Sequence, residues 1–103
     1  MTDNIFTIIP EDSEEEIFET LFENQNVKIE RILSYGQSSP VGFWYDQERY
    51  EFVVLLKGEA SLEFEDGEVK LCEGDYLVIP PHLKHRVSFT SKPAVWLAIF
   101  FEE

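Results

Sequence analysis

From Val27 onward the apolar residues fall in short runs, each cut off by turn residues. The runs cover 27–34, 42–47, 50–56, 60–64, 68–72, 76–79, 85–90 and 94–101. Their length and their content of Val, Ile, Phe and Tyr predict strands, and the separators Lys57-Gly58-Glu59, Asp66-Gly67 and Gly74-Asp75 predict turns. Asp66-Gly67 is the strongest hairpin signal in the chain. Pro80-Pro81 cannot continue a ladder and so ends the run 76–79. Residues 35–40, with Gly36 and two nearby serines, read as a loop.

The first 26 residues read differently. Ile5 to Ile9 form an apolar stretch suited to an edge strand or to an arm lying on another surface. Ser13 followed three residues later by Glu16 fits a capping box. The pairs Ile17/Leu21 and Phe18/Phe22 are each four apart, so the spacing predicts a short helix over 13–23, with a strand as the alternative. The expected organisation is therefore an N-terminal arm and short helix over 1–26, packed on a β-barrel domain over 27–103. Strands do not alternate with helices, which excludes a parallel βαβ architecture; a double-sheet jelly roll closes this many antiparallel strands.

In 52–56 and 95–101 neither parity is polar, whereas a half-exposed sheet alternates. One face fills the barrel and the other must be covered, in part by the N-terminal segment and in part by a second copy of the chain. A homodimer is expected.

Composition narrows the function classes. With 21 acidic against 8 basic residues the formal charge is −13, which repels nucleic acid and anionic membrane surfaces. Hydrophobic content of 44% over 103 residues fits one globular domain rather than disorder. No apolar run nears the ~20 residues that span a bilayer. The N-terminus lacks the pattern of a signal peptide, and the single cysteine, Cys72, reads as a small core residue. These features point to the cytoplasm.

The stretch from Glu73 to Val87, E-G-D-Y-L-V-I-P-P-H-L-K-H-R-V, resembles the second motif of the cupin superfamily, G-x5-P-x-G-x2-H-x3-N. Gly74, Pro80 and His85 fall at the pattern's spacing; its second glycine is His82 here and its asparagine is Phe89. The first motif, G-x5-H-x-H-x3-4-E-x6-G, is matched by Glu51 and Gly58. Its two histidines fall at Tyr45 and Gln47 with a gap of three, or at Trp44 and Asp46 with a gap of four. The resemblance covers residues 36–102 and implies a cupin-type jelly-roll barrel, all-β apart from the short N-terminal helix.

In metal-binding cupins three histidines and the glutamate hold one divalent ion inside the barrel, a donor set suited to Fe, Mn, Ni or Zn. The resemblance thus implies Glu51 and His85 as ligands, helped by Gln47 and Tyr45, with Asp46 as the alternative to Gln47. The no-metal alternative is a vestigial site in which Glu51, too costly to bury alone, pairs with His85 or with Arg31, Arg49 or Arg86. Strand alternation places Val53 and Leu55 on the face of Glu51, and Val87 and Phe89 on that of His85, as an apolar pocket wall. His82 reads as an exposed loop residue, and Trp44 and Trp96 as core or interface aromatics. The functional expectation is a small cupin that binds a divalent metal, a small molecule or both, with the reaction left open. The alternative is a non-catalytic binding, sensing or structural cupin.

Overall fold

In a computed structural model, which describes residues 1–102, the chain forms eight strands and no helix. Position 103, the last of the expected barrel domain, lies outside the described residues. The strands are β1 (Ile17–Glu23), β2 (Val27–Ser34), β3 (Tyr50–Lys57), β4 (Ala60–Phe64), β5 (Gly67–Leu71), β6 (Tyr76–Ile79), β7 (His85–Thr90) and β8 (Ala94–Phe101). A five-stranded antiparallel sheet, β1-β2-β8-β3-β6, faces a three-stranded one, β5-β4-β7. This is the expected all-β double-sheet barrel.

The main core lies between the sheets and contains Val53, Leu55, Ala60, Leu62, Leu71, Ile79, Ala94 and Trp96. Gly58 makes the connection into β4 possible. Its φ of +93° suits glycine, and a Cβ there would sit 2.4 Å from Ser91 Oγ and 2.5 Å from the Pro93 carbonyl oxygen. A smaller cluster, Leu33, Tyr35 and Val95 with Ile9, Ile17 and Leu56, lies on the outer side of the five-stranded sheet, under the N-terminal arm.

The expected helix over 13–23 is corrected to the edge strand β1, paired antiparallel to β2 from Ile17 opposite Leu33 to Glu23 opposite Lys28, with a register shift between Thr20 and Phe22. A spacing of four puts two residues on one face in a regular strand as well as in a helix, so the pattern fitted both; in β1 the bulge between Thr20 and Phe22 then sets Phe18 opposite Ile32 but Phe22 opposite Ile29. What decides is the partner. The other edge of β2 offers backbone partners along β1, and Asn24 closes the hairpin by accepting the Asn26 and Val27 amides on its side-chain oxygen at 2.8 and 3.0 Å. Ser13 folds its hydroxyl onto Glu15 in a local turn instead of capping a helix.

Residues 5–9 are an arm, not a strand. Arg31 draws it down: its guanidinium donates to the carbonyls of Ile5, Thr7 and Ile8 at 3.0, 2.7 and 3.3 Å and pairs with Glu19. The Tyr35 hydroxyl donates to the Pro10 carbonyl at 2.7 Å. The expected strand over 42–47 is a loop with one bridge, Tyr45 to His85. Pro40 and Gly42, the latter at φ +83°, turn the chain here. Arg86 anchors the loop through the Ser39 carbonyl at 2.7 Å. Cys72 is exposed, not a core residue, because the ladder ends one residue earlier at Leu71 and its amide turns to Asp75.

Candidate functional site

A cavity of about 200 Å³ lies between the sheets, roofed by the loop from Ser38 to Gln47. Its apolar wall includes Phe18, Ile32, Val53, Leu62, Val87 and Phe100. Its polar groups include Glu16, Glu30, Tyr45, Gln47, Glu51 and His85. A small number of convergent polar groups in an otherwise apolar cavity is the usual make-up of a small-molecule site.

Glu51 enters from the start of β3 and His85 from the start of β7, so each sits where a strand meets the loop layer. Both are buried, at 8% and 4% exposed. Glu51 Oε1 lies 3.6 Å from His85 Nε2, within ion-pair reach though long for a hydrogen bond, and accepts the Gln47 side-chain amide at 3.1 Å. The other ring nitrogen of His85 is 2.9 Å from the Leu83 carbonyl. Both nitrogens therefore face acceptors, and only the imidazolium carries a proton for each. Burial alone would lower the His85 pKa; the Glu51 carboxylate and the Leu83 carbonyl outweigh it and hold the imidazole above its ordinary value. The Tyr45 ring stacks on His85 with centroids 5.4 Å apart, fixing the imidazole plane.

The rest of the site comes from the N-terminal strands. Glu30 on β2 is 8% exposed, with Lys28 Nζ 3.7 Å from its carboxylate. Burial pushes the Glu30 carboxyl up, Lys28 pulls it back, and the charge of Glu51 adds to the rise. Glu16, just before β1, is positioned by a chain of hydrogen bonds: the Trp96 indole donates to Ser34 Oγ at 3.1 Å, and the Ser34 hydroxyl to Glu16 at 2.6 Å. Burial, then the charges of Glu16, Glu51 and Glu30, raise the Tyr45 pKa.

The structure thus brings together Glu51, His85, Gln47, Tyr45, Val53 and Val87. Asp46 turns away and bonds His82 at 2.7 Å, so the gap of three applies, not four. His82 is an exposed loop residue at φ +64°, a left-handed conformation that explains why the resembling motif has glycine there. Leu55 points inward but lies in the apolar core and does not line the cavity. Phe89 is 49% exposed and points out. A β-bulge causes this: Leu62 pairs with Val87 and Ser61 with Phe89, so the extra residue Ser88 reverses the alternation beyond it. Two of the three candidate arginines are engaged elsewhere, Arg31 with the arm and Arg86 with Glu63 and the loop.

Sequence reasoning missed Glu16, Glu30 and Ser34 as site residues and underrated Trp96. The available signal was parity: Glu30, Ile32 and Ser34 are alternate residues of one strand, so the inward apolar face carried two polar groups that needed partners.

The donor set does not fit a divalent transition metal. Of the implied ligands only Glu51 and His85 are a carboxylate and an imidazole at close range, and the Gln47 amide nitrogen faces Glu51. Among the described residues no three His, Cys, Asp or Glu side chains form a group that could hold an ion. What the arrangement supplies is a carboxylate and an imidazolium side by side, a pair that can give and take a proton at one point of the cavity.

The sequence model of the cupin domain matches residues 32–100. An uncharacterized protein of Aquifex aeolicus (strain VF5) is 37% identical over 90 residues, 87% of this chain and 73% of that protein. A crystal structure from Ralstonia eutropha JMP134, named "putative mannose-6-phosphate isomerase", is 40% identical and superposes with a TM-score of 0.95 over 100% of this chain and 99% of that one. A cupin superfamily protein from Desulfitobacterium hafniense DCB-2, 21% identical, superposes at 0.80 over 92% and 84% of the two chains and supports the fold alone. No helix among the described residues is long and apolar enough to cross a membrane.

Proposed function

The chain belongs to the cupin domain family, and we propose that it binds a small organic molecule in the inter-sheet cavity without a metal ion, with Glu51 and His85 as its proton-exchanging pair. The observation that carries this reading is the burial of that pair against open cavity space. Burying a carboxylate and an imidazole costs stability unless each is satisfied, and here only one oxygen of Glu51 takes up Gln47 and His85. The cavity volume suits a molecule smaller than drug size.

The test has two arms on protein purified without a histidine tag. Elemental analysis should find Fe, Mn, Ni and Zn each well below one equivalent. Mass spectrometry of the denatured protein should find small molecules that Val87→Trp, which fills the cavity, no longer retains. Stoichiometric metal that Glu51→Ala abolishes and His85→Ala weakens would restore the metal-site reading. Identical small-molecule content in wild type and Val87→Trp would reject the cavity as a ligand site.

The assembly reading is a homodimer formed through the outer face of the five-stranded sheet. Phe52, Val54, Leu97, Ile99 and Phe101 alternate onto that face and Tyr76 and Val78 extend it, with no charged residue among them. In a chain of charge −13 this is a patch where two copies meet without opposing like charges.

A further inference from the structure

The charges around the cavity are lopsided. Glu16, Glu30 and Glu51 line it, against the single basic side chain of His85. No lysine or arginine lines it among the described residues. The Lys28 ammonium lies beside Glu30 at 3.7 Å, and its side chain is 35% exposed. Even with His85 protonated the lining stays net negative. All three carboxylates border this one cavity. Two of them, Glu30 and Glu51, are more than nine-tenths buried and belong to strands whose inward face is the cavity wall. Nor is the lining only acidic: the aromatic residues Phe18, Tyr45, Trp96 and Phe100 also border the cavity.

A carboxylate in a low-dielectric cavity attracts a cation more strongly than it would in water, and an aromatic face adds cation–π attraction. An anion entering the same space meets three carboxylates and no lysine or arginine of the kind that clamps phosphate. From this juxtaposition we infer that the cavity selects a small organic cation, an amine or guanidine on an apolar body, and rejects anions such as sugar phosphates. The inference rests on the cavity being a ligand site and adds the charge of the ligand. It separates this chain from what the name of the Ralstonia eutropha relative would suggest, because mannose 6-phosphate is an anion.

The experiment uses three probes of one carbon skeleton and different charge: benzylamine, benzyl alcohol and benzoate, with mannose 6-phosphate as a fourth. The readout is the indole resonance of Trp96, assigned with Trp44→Phe, during titration of isotope-labelled protein. Benzylamine should bind more tightly than benzyl alcohol, and benzoate and mannose 6-phosphate should shift nothing. Glu30→Gln and Glu16→Gln should each cut the preference for benzylamine over benzyl alcohol by about tenfold, the scale of one close charge contact. Glu65→Gln, in the β4–β5 turn, changes the net charge equally and should leave the preference intact. Glu16 lies outside the strands, so its variant keeps the test valid if the Glu30 variant folds poorly. Benzyl alcohol binding as well as benzylamine, or either anion binding at all, overturns the cation inference and leaves the cavity reading standing. If no probe shifts Trp96, the cavity reading falls and takes this inference with it.

Discussion

The two faces of the five-stranded sheet are both apolar in sequence, yet they are different places. The inner face mixes Val53, Ile32 and Phe100 with Glu30 and Glu51, looks across at His85 and encloses a cavity. On the outer face, Phe52, Val54, Leu97, Ile99 and Phe101 bring no charge. One end of that face is sealed by the arm, whose Ile9 packs on Leu33, Tyr35 and Val95. Charge does enter there, as the Arg31–Glu19 pair, but the guanidinium is spent on holding the arm's carbonyls. Apolar parity alone therefore does not mark a pocket. The buried carboxylates do, because each needs a partner that an apolar wall cannot provide.

The largest expected effect is on the shared core. Leu55 is fully buried between the sheets, and Leu55→Ala should cost about 3 kcal/mol in denaturant unfolding, the usual range for a buried leucine. Next comes the arm. Arg31→Ala removes the donor to the Ile5, Thr7 and Ile8 carbonyls and should cost about 2 kcal/mol, with faster proteolytic cleavage within residues 1–10. Equal proteolysis of wild type and variant would mean that the arm is held by Ile9 and Tyr35 without the arginine. On the open part of the outer face the effect should be on association instead. Val78 is 50% exposed, so Val78→Arg should change unfolding of a single chain by under about 1 kcal/mol while converting a dimer to a monomer in sedimentation. A wild-type chain that sediments as a monomer at tens of micromolar would break the comparison, leaving the outer face without an occupant.

How much of this was legible depends on the kind of signal. From Tyr50 onward the strands could be read because Gly58, Asp66, Gly74 and Pro80 punctuate them, and turn chemistry is local. Glu51 and His85 could be found because motif spacing fixes which loop-proximal strand positions face inward. Depth and bulges were not legible. Leu55 shares the parity of Glu51 but sits two rows deeper, and no residue type announces the extra residue Ser88 that turns Phe89 outward. The N-terminal third was ambiguous because β1 is an edge strand whose identity depends on β2, a contact that pattern within 13–23 does not contain. For the same reason Glu16 and Glu30 escaped notice: their role depends on strands from both ends of the chain closing one cavity.

The smallest effect separates two cavity-lining groups with raised pKa values, His85 and Glu30, and its sign follows from linkage. Burial works against the His85 imidazolium, but Glu51 and the Leu83 carbonyl leave its pKa above the ordinary 6.5. Between 6.5 and that raised value the folded chain holds a proton that the unfolded chain has released. Stability therefore falls as pH rises through this window, and the contribution is fully present below it. Glu30, raised above 4.5 chiefly by burial, acts with the same sign in a lower window, since its protonated form is the one the fold favours. The groups that face His85 are Glu51, Gln47 and the rings of Tyr45 and Phe64. Urea unfolding between about pH 4 and 9, which brackets both windows, should show two declining steps. His85→Gln should remove the upper step alone, and Glu30→Gln the lower. If stability instead climbs with pH through the upper window, and His85→Gln abolishes that climb, the imidazole is buried neutral, and the pairing with Glu51 at the centre of the cavity is not an ion pair.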